Sequence, residues 1–213
     1  TNVVRGLVCV ITPISYEHMD KLGYTLKAIA GEKAGIIKDR TSVISALQQT
    51  QAQKVIRAKA RAAGARLYEL GKDIKYRKTG SSFCVRGLYG KYQNLKIRLC
   101  GRHQLMNATL ALAAVESLRP YGFHIGVDSI RGGLYNTLWP GRCEIVAKNP
   151  WVILAGAQNA ASARALKQAV QENFKYQRLI LVLGVSGDKD IKGISFEFRG
   201  WPDIIIFTRA NHP

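Results

Sequence analysis

The 213-residue sequence has no apolar run that approaches the length of a membrane-spanning helix, and it shows no signal peptide. We therefore expect no membrane partner and a location in the cytoplasm or an organellar matrix. The few cysteines have no metal-binding spacing and form no close pairs along the chain. They are Cys9, Cys84, Cys100 and Cys143, and they are most simply interpreted as small buried hydrophobic residues in a reducing compartment.

Acidic residues are also scarce, because 14 Asp and Glu stand against 32 Lys and Arg, for a formal net charge of +18. Such an excess predicts association with polyanions. It is concentrated between residues 57 and 102, where aromatic residues are interleaved with the basic ones in a way that suits phosphate contacts and base stacking. A solvated surface whose aromatic residues face inward fits equally well. The candidate nucleic-acid contacts are Arg57, Lys59, Arg61, Arg66, Lys72, Lys75, Arg77, Lys78, Arg86, Lys91, Lys96 and Arg98.

The sequence does contain the patterns of an α/β protein. The continuous apolar run Val8–Ile11 predicts a buried strand, so that His18 lies in a loop at the carboxyl end of that strand. In open α/β sheets, ligands bind at this end. The following segment predicts a helix with an apolar stripe at positions 26, 29, 30 and 33, which places Lys33 on the apolar face.

A lysine on the inner face of a helix is costly to keep charged, so Lys33 should have a lowered pKa, an acidic partner or a covalent modification. A neutral amine can react with carbon dioxide to give a carbamate, which replaces a cation with a metal-ligating carboxylate. The alternative is that the Lys33 ammonium reaches past the rim to water. For His18 the alternative is an ordinary hydrogen-bonded loop histidine.

Further along, the spacing of apolar residues predicts a helix over residues 48–63 with Lys59 in its core stripe, and then a β-rich insertion over residues 67–99 whose last strand runs from Leu95 to Leu99. A helix is predicted from residue 101, ending at Pro120. The remaining predicted elements are a buried strand at 151–154, a helix at 162–174, and strands at 179–184 and 204–208.

The segment of residues 11–38, ITPISYEHMDKLGYTLKAIAGEKAGIIK, resembles the matching segment of the folylpolyglutamate synthase and dihydrofolate synthase family. These are ATP-dependent amide ligases of the Mur ligase superfamily. The resemblance implies that His18 binds a magnesium ion and that Lys33 is carbamylated to support a metal or a phosphate. Glu17 stands where the family usually has Asp.

Two more motifs carry the resemblance. The helix start GRHQLMNATLA is similar to the family's segment whose Asn approaches the nucleotide base, which implies that role for Asn107. The turn of residues 139–142, WPGR, is similar to the family's linker, whose Arg contacts ATP phosphates. Arg142 can do so through a bidentate fork. The alternatives are an ordinary first-turn polar residue for Asn107 and a pair with Glu144 for Arg142.

The loop of residues 155–159, AGAQN, precedes a predicted helix and resembles the family's Asp-Gly-Ala-His-Asn loop, which makes Gln158 and Asn159 candidate nucleotide contacts at a helix N-terminus. Ala155 and Gln158 replace the family's Asp and His, which argues against full activity. No Gly-x-x-x-x-Gly-Lys-[Ser/Thr] segment occurs. We expect an ATP ligase without this loop to position the γ-phosphate poorly.

We therefore predict an α/β fold: an incomplete Mur-ligase-like central three-layer α/β domain with a β-rich insertion over residues 1–138, then a partial Rossmann-like C-terminal domain over residues 139–213. The resemblance implies ATP and Mg²⁺ as cofactors and folate and glutamate as substrates, joined through an acyl phosphate. We expect this chain alone to be inactive.

Two alternatives remain open. One is a catalytically dead ligase fold that serves as a basic RNA-binding or structural subunit of a ribonucleoprotein; the other is a small-molecule binder without catalysis. Salt distinguishes the first, because polyanion binding weakens steeply as salt rises. Missing strands would leave a sheet edge and an apolar face open, so we expect the chain either to be covered by a partner chain or to be poorly soluble alone.

Overall fold

The computed structural model describes residues 2–16 and 19–209. The chain divides into two compact units. Unit 1 comprises residues 1–98 and 103–137, and unit 2 comprises residues 99–102 and 138–213.

Unit 1 contains a three-stranded parallel sheet in the order β1-β2-β3. The strands are β1 (Val8–Ile11), β2 (Ser42–Ser45) and β3 (Arg66–Glu69). The connecting elements are α1 (Met19–Leu22), α2 (Leu26–Lys33), a 3₁₀ turn (Ala34–Ile36) and α3 (Thr50–Ala62). Helices therefore link the parallel strands, as crossover connections require.

An antiparallel sheet and two further helices complete unit 1. The strands are β4 (Lys75–Thr79), β5 (Ser82–Arg86) and β6 (Lys91–Leu95), in the order β4-β5-β6. The helices are α4 (Arg102–Glu116) and α5 (Val127–Asn136), with a 3₁₀ turn (Arg119–Tyr121) between them. The β-rich insertion is thus present. Its predicted limits were wrong, because Leu67 belongs to β3 of the parallel sheet. The last strand, predicted from Leu95 to Leu99, instead runs from Lys91 to Leu95.

Buried side chains on both faces of the parallel sheet make unit 1 a three-layer structure. Val43 of β2 packs in one cluster with Ile29 of α2 and Ile56 of α3. Its neighbour Ile44 packs in a second cluster, which contains Leu112 of α4 and the inner side chains of the antiparallel sheet. Successive strand residues point to opposite faces, so β2 is covered on both sides. This confirms the predicted three-layer α/β architecture.

Unit 2 contains one antiparallel and one parallel pair of strands. Strand β7 (Arg142–Lys148) pairs antiparallel with β8 (Trp151–Ala155). Helix α6 (Ala160–Asn173) follows, and β9 (Ile180–Gly184), α7 (Ile191–Phe198) and β10 (Ile204–Thr208) form a parallel βαβ unit. The strand predicted at 204–208 is confirmed with the same limits, and the one predicted at 179–184 begins one residue later.

Apolar side chains are exposed along the strands of unit 2. Trp151 and Leu154 of β8 are 43% and 50% exposed, and Phe207 of β10 is 74% exposed. The strand predicted at 151–154 is therefore present, but it is not buried as predicted. These side chains belong to the kind of open apolar face that we expect a partner to cover, and that partner stays a prediction.

In helix α3, the prediction that Lys59 belongs to the buried stripe was wrong. Its buried residues are Ala52, Ile56 and Ala60, whereas Lys59 is exposed. The long side chain of Lys59 turns to water, and the small Ala60 packs inward instead. Strand β2 was missed because only two of its four residues are apolar, and α5 was missed because it contains two glycines, which have low helix propensity.

The cysteines are less uniformly buried than predicted. Cys9 and Cys143 are buried, but Cys84 and Cys100 are only half-buried. The thiols of Cys143 and Cys100, distant in sequence, lie within hydrogen-bonding distance, and this contact together with burial raises the pKa of Cys143. Within residues 2–16 and 19–209, no helix is both long and apolar enough to cross a membrane.

Candidate functional site

One side chain holds together the two loops at the carboxyl edge of the parallel sheet. Gln48, after β2, accepts a hydrogen bond at Oε1 from the Ile14 N–H at 3.0 Å and donates one from Nε2 to the Thr12 carbonyl at 2.9 Å. This edge is where open α/β sheets bind ligands. His18 and Glu17, which follow in the same loop, lie outside the residues that the structure describes. Gln48 was not identified from sequence, since its partners are 34 and 36 positions away.

Lys33 is the last residue of α2 and is half-buried, whereas Leu26, Ile29 and Ala30 of the same stripe are buried. The stripe predicted from sequence is therefore correct for its apolar members, while Lys33 sits at its rim. At the rim, the end of the Lys33 side chain can either reach water or carry a covalent modification. The carbamate on Lys33 stays a prediction.

The turn that carries Lys33 packs against the start of the described chain. Asn2 donates from Nδ2 to the Glu32 carbonyl at 3.0 Å. A Cβ built on Gly35 would lie 2.5 Å from the same Asn2 nitrogen. Glycine therefore permits this close approach, and a larger residue at position 35 would require the Asn2 side chain to shift. The sequence signal was the glycine inside Glu-Lys-Ala-Gly-Ile, but its partner is too distant to be inferred.

A magnesium site is not assembled by the side chains that can be placed. In the described part of the chain, no group of three or more His, Cys, Asp or Glu residues is arranged to hold a metal ion. Magnesium prefers several oxygen ligands, including water. The assignment of Mg²⁺ to His18 and Lys33 thus stays a prediction from the resemblance.

Asn107 lies exposed on the second turn of α4. Its Nδ2 donates to Oε1 of Gln104 at 3.1 Å, and Gln104 is itself buried. The buried glutamine fixes the orientation of an exposed amide, which is a suitable arrangement for a hydrogen bond to a ligand. Contact of Asn107 with a nucleotide base stays a prediction.

Arg142 and the loop after β8 meet at one end of the β7-β8 pair in unit 2. Arg142 is in register with Ala155, and the Gly156 N–H donates to the Gly141 carbonyl at 2.8 Å. The side chain of Arg142 is exposed. Backbone pairing thereby holds Arg142 beside the loop that leads to Gln158, and contact of these residues with a nucleotide stays a prediction.

Glu144, the alternative partner of Arg142, instead accepts a hydrogen bond from the backbone of the turn before β7. Its Oε2 accepts the Gly141 N–H at 2.8 Å, which fixes the turn. Among the residues that the structure places, Arg142 forms no ion pair with a carboxylate. The guanidinium therefore keeps its donors available for an anion.

Asn159 begins α6 with a reciprocal capping box. Its Oδ1 accepts the Ser162 N–H at 2.8 Å, and Ser162 Oγ accepts the Asn159 N–H at 3.0 Å. Ser162 Oγ also accepts the Gln158 N–H at 3.0 Å. These hydrogen bonds satisfy some of the backbone N–H groups at the N-terminus of α6 within the protein itself. Asn159 thus has a structural role beside any part in binding, and Gln158 presents an exposed side chain.

The basic residues predicted to contact nucleic acid are spread over several elements of unit 1, and their contact with nucleic acid stays a prediction. Arg57 is bound to the buried carboxylate of Glu69 through Nε and Nη2 at 2.9–3.1 Å, and this contact raises the pKa of Arg57. Gln53 donates to the same carboxylate at 3.1 Å. Arg57 therefore has a structural ion pair. The other candidates are Lys59 and Arg61 on α3, Arg66 in β3, Lys72 before β4, Arg77 and Lys78 on β4, and Lys96 and Arg98 after β6.

Three of these cations do lie side by side. Arg86 of β5 is in register with Lys75 of β4 on one side and Lys91 of β6 on the other. Residues directly opposite in a sheet share a face, so the three form a row opposite the side that buries Val85 and Tyr92. Like charges placed so closely repel, which gives this row an affinity for anions in general.

Comparison with known families matches both units. Residues 2–115 match the family model described as Mur ligase middle domain, and residues 141–213 match the one described as Mur ligase, glutamate ligase domain. The predicted domain boundary at residue 138 falls between the two ranges and stays a prediction.

Relatives and solved structures agree with this match. The chain is 35% identical to the dihydrofolate synthase/folylpolyglutamate synthase of Bacillus subtilis, over all of its own length and 51% of the relative's. The corresponding protein of Mycobacterium tuberculosis is also 35% identical, over the whole chain and 46% of the relative. The crystal structure of M. tuberculosis folylpolyglutamate synthase complexed with ADP and AMPPCP superposes with a TM-score of 0.91 at 34% identity, covering 100% of this chain and 50% of that one. The chain spans about half the length of the relatives it matches.

Proposed function

Because this chain belongs to the Mur ligase family, we propose that it is part of an ATP-dependent ligase of the folylpolyglutamate and dihydrofolate synthase type. The observation that carries the proposal is the similarity along all of the chain to proteins with that name, at 35% identity and with a matching fold. The proposed substrates are a folate carboxylate and glutamate, and the proposed nucleotide is ATP. A cytoplasmic or organellar-matrix location stays a prediction.

The proposed reaction has two steps. The carboxylate attacks the γ-phosphorus of ATP and forms an acyl phosphate while ADP leaves. The amine of glutamate then attacks the acyl carbon, and phosphate leaves with formation of the amide bond. Phosphoryl transfer depends mainly on positioning and on stabilisation of charge. The residues of this chain that serve those purposes are therefore cation and amide donors rather than nucleophiles.

In unit 2, Arg142 is the proposed phosphate ligand, because its guanidinium is exposed beside the loop that follows β8. A guanidinium holds phosphate oxygens by paired hydrogen bonds. Gln158 and Asn159 supply the polar end of the same loop. In unit 1, Asn107 is the proposed contact to the base, and Lys33 is the proposed carbamate.

Two substitutions bear on turnover. Ala155 and Gln158 stand where the family has Asp and His, so the loop beside Arg142 offers neither a carboxylate nor an imidazole. Binding of the nucleotide relies on other groups and should persist. Chemistry that uses those two side chains should therefore be slow.

The test is calorimetric titration of the protein with ADP at about 50 mM and about 200 mM salt. We expect binding that changes little with salt and that Arg142→Ala weakens about tenfold or more, since a hydrogen bond to a charged group contributes about 1.5–3 kcal/mol. The matched control is Arg178→Ala, an exposed arginine ahead of β9. Absence of ADP binding, or equal loss in both variants, would contradict the proposal.

Titration with a single-stranded RNA at the same two salt concentrations tests the RNA-binding alternative. None of the relatives named above carries a name that refers to RNA, and Arg57 is already paired with Glu69. Binding of a single-stranded RNA that falls steeply between the two salt concentrations, without ADP binding, would favour that alternative. The ligase function is the one the chain supports best.

A further inference from the structure

A cavity of 580 Å³ lies at the amino-terminal edge of the parallel sheet in unit 1. Its walls come from residues 5–7, which lead into β1, from residues 37–41, which lead into β2, and from the end of α3. All three strands are parallel, so the segments that enter them meet at one edge. This edge is opposite the carboxyl edge where Gln48 holds the loops. The cavity is therefore distinct from the ligand site expected of an open α/β sheet.

The charge of the cavity is strongly unbalanced. Arg5, Lys38, Arg40 and Lys59 line it together with a single acid, Asp39, which leaves an excess of three positive charges. In the placed portion of the chain, none of these four cations forms an ion pair with a carboxylate. Arg5, Arg40 and Lys59 are exposed at the mouth, and Lys38 is half-buried.

The backbone at the cavity is held in an unfavourable conformation. Arg40 has φ +57°, in the left-handed region that side-chain-bearing residues seldom adopt. Its N–H donates to the Ala63 carbonyl at 3.2 Å, and the Arg66 N–H donates to the Thr41 carbonyl at 3.0 Å. Strain kept in place by neighbouring hydrogen bonds is characteristic of functional segments.

The remaining walls are fixed as well. Lys38 donates from Nζ to the Gly35 carbonyl at 2.7 Å, which directs its ammonium and leaves it further donors. On the other side, the Tyr121 hydroxyl donates to the Leu7 carbonyl at 3.4 Å. The buried side chain of Ile37 contributes apolar lining. The cavity thus has hydrogen-bonded backbone walls and four lining cations, of which Lys38 is held by a hydrogen bond.

We propose that this cavity binds a small molecule through a diphosphate group. Its volume is in the usual range for small-molecule sites, roughly 300–1,000 Å³. A diphosphate carries roughly three negative charges, at about −1.5 to −2 for each phosphate group, which matches the excess of positive charge. Inorganic pyrophosphate and the diphosphate of a nucleotide share this chemistry. The site goes beyond the proposed ligase reaction and does not depend on it.

The test is titration of the protein with inorganic pyrophosphate and, separately, with ADP, in buffer free of divalent cations. The double variant Arg40→Asn with Lys59→Gln removes two of the four cations. Asparagine tolerates the left-handed conformation, and Lys59 is exposed on α3, so both changes should leave the fold intact. The matched control is Lys54→Gln, an exposed lysine of the same helix that does not line the cavity.

We expect the double variant to weaken pyrophosphate binding at least tenfold, whereas Lys54→Gln leaves it unchanged. ADP binding is measured in the same variants. If the double variant weakens ADP binding, in addition to the weakening by Arg142→Ala, the cavity takes nucleotide diphosphates as well as pyrophosphate. Pyrophosphate binding that is absent, equally tight in the double variant, or abolished by Arg142→Ala would overturn the proposal. Because Arg142 reports on unit 2 and Arg40 on unit 1, failure here is distinguishable from failure of the ligase function.

Discussion

The carboxylate of Glu116, at the end of α4, accepts a hydrogen bond from the phenolic hydroxyl of Tyr92 in β6 at 2.9 Å. It also accepts the N–H groups of Leu88 and Tyr89 at 2.6 and 3.1 Å. Glu116 is only 2% exposed. A buried anion is tolerated when it is fully hydrogen-bonded, so these three donors join α4 to the turn between β5 and β6.

Gly87 is the most constrained position around that carboxylate, and Gly87→Ala is expected to destabilise unit 1. A Cβ on Gly87 would lie 2.1 Å from Oε2 of Glu116, so either the turn or the carboxylate must move. We expect the free energy of unfolding to fall by about 2 kcal/mol or more, because overpacking and a lost hydrogen bond to a buried charge add together. Urea denaturation measures the change.

The control is Gly132→Ala in α5, where a Cβ would meet no atom within 4 Å. That variant should be neutral or up to about 1 kcal/mol more stable, from helix propensity alone. Equal effects of the two substitutions would show that the contact with Glu116 is not the cause.

Tyr92 should make the stability depend on pH in the alkaline range. Burial and the Glu116 carboxylate raise the pKa of Tyr92 to about 12, above its usual value of about 10. A raised pKa in the folded state gives stability that is fully present below the unfolded value and is lost as pH rises from about 10 to about 12. Two pKa units correspond to about 2–3 kcal/mol.

The comparison is with Tyr92→Phe, which cannot ionise but loses the hydrogen bond to Glu116. We expect the variant to be less stable by about 1 kcal/mol at neutral pH and the difference to shrink or reverse above about pH 11. Thermal unfolding across the pH range gives both curves. Parallel curves would refute the assigned pKa.

The sequence predicted the elements whose signal is local. The position of β1 and the apolar stripe of α2 were predicted correctly, because both leave a short-range pattern in the sequence. Strand β1 is only partly buried, however, since Val10 is exposed. Glu116 was not identified, since a charged residue on a helix ordinarily faces water and its partners lie 24 to 28 positions away. Gln48 was missed for the same reason.

The residues of the candidate site also differ in whether the sequence alone could show them. Motifs that are contiguous in sequence, such as those of Lys33 and Arg142, could be recognised directly. The pairing of Arg57 with Glu69 depends on β3 lying beside α3, which no local pattern in the sequence shows, and contact of Arg57 with nucleic acid stays a prediction. The in-register row of Lys75, Arg86 and Lys91 depends on strand register, which the turns alone did not determine.

Gln48→Ala should loosen the loop at the carboxyl edge of the parallel sheet. It removes both hydrogen bonds to the loop after β1, so we expect a loss of about 1–2 kcal/mol in unfolding free energy. Hydrogen exchange at the Ile14 amide should accelerate about tenfold. Gln49→Ala is the matched control, because Gln49 is exposed and makes no side-chain cap bond to α3. Unchanged exchange at Ile14 in Gln48→Ala would contradict the role assigned to Gln48.

Gly35→Ala tests the contact beside Lys33. The new Cβ would meet Asn2 Nδ2 at 2.5 Å, which displaces Asn2 and breaks its hydrogen bond to the Glu32 carbonyl. Because Asn2 is exposed and can move, we expect a modest loss of about 1 kcal/mol. The double variant with Asn2→Ala isolates the pair: the cost of Gly35→Ala should largely disappear once Asn2 is truncated. A cost that stays the same in the double variant would mean that Gly35 is needed for its own backbone and not for the approach of Asn2.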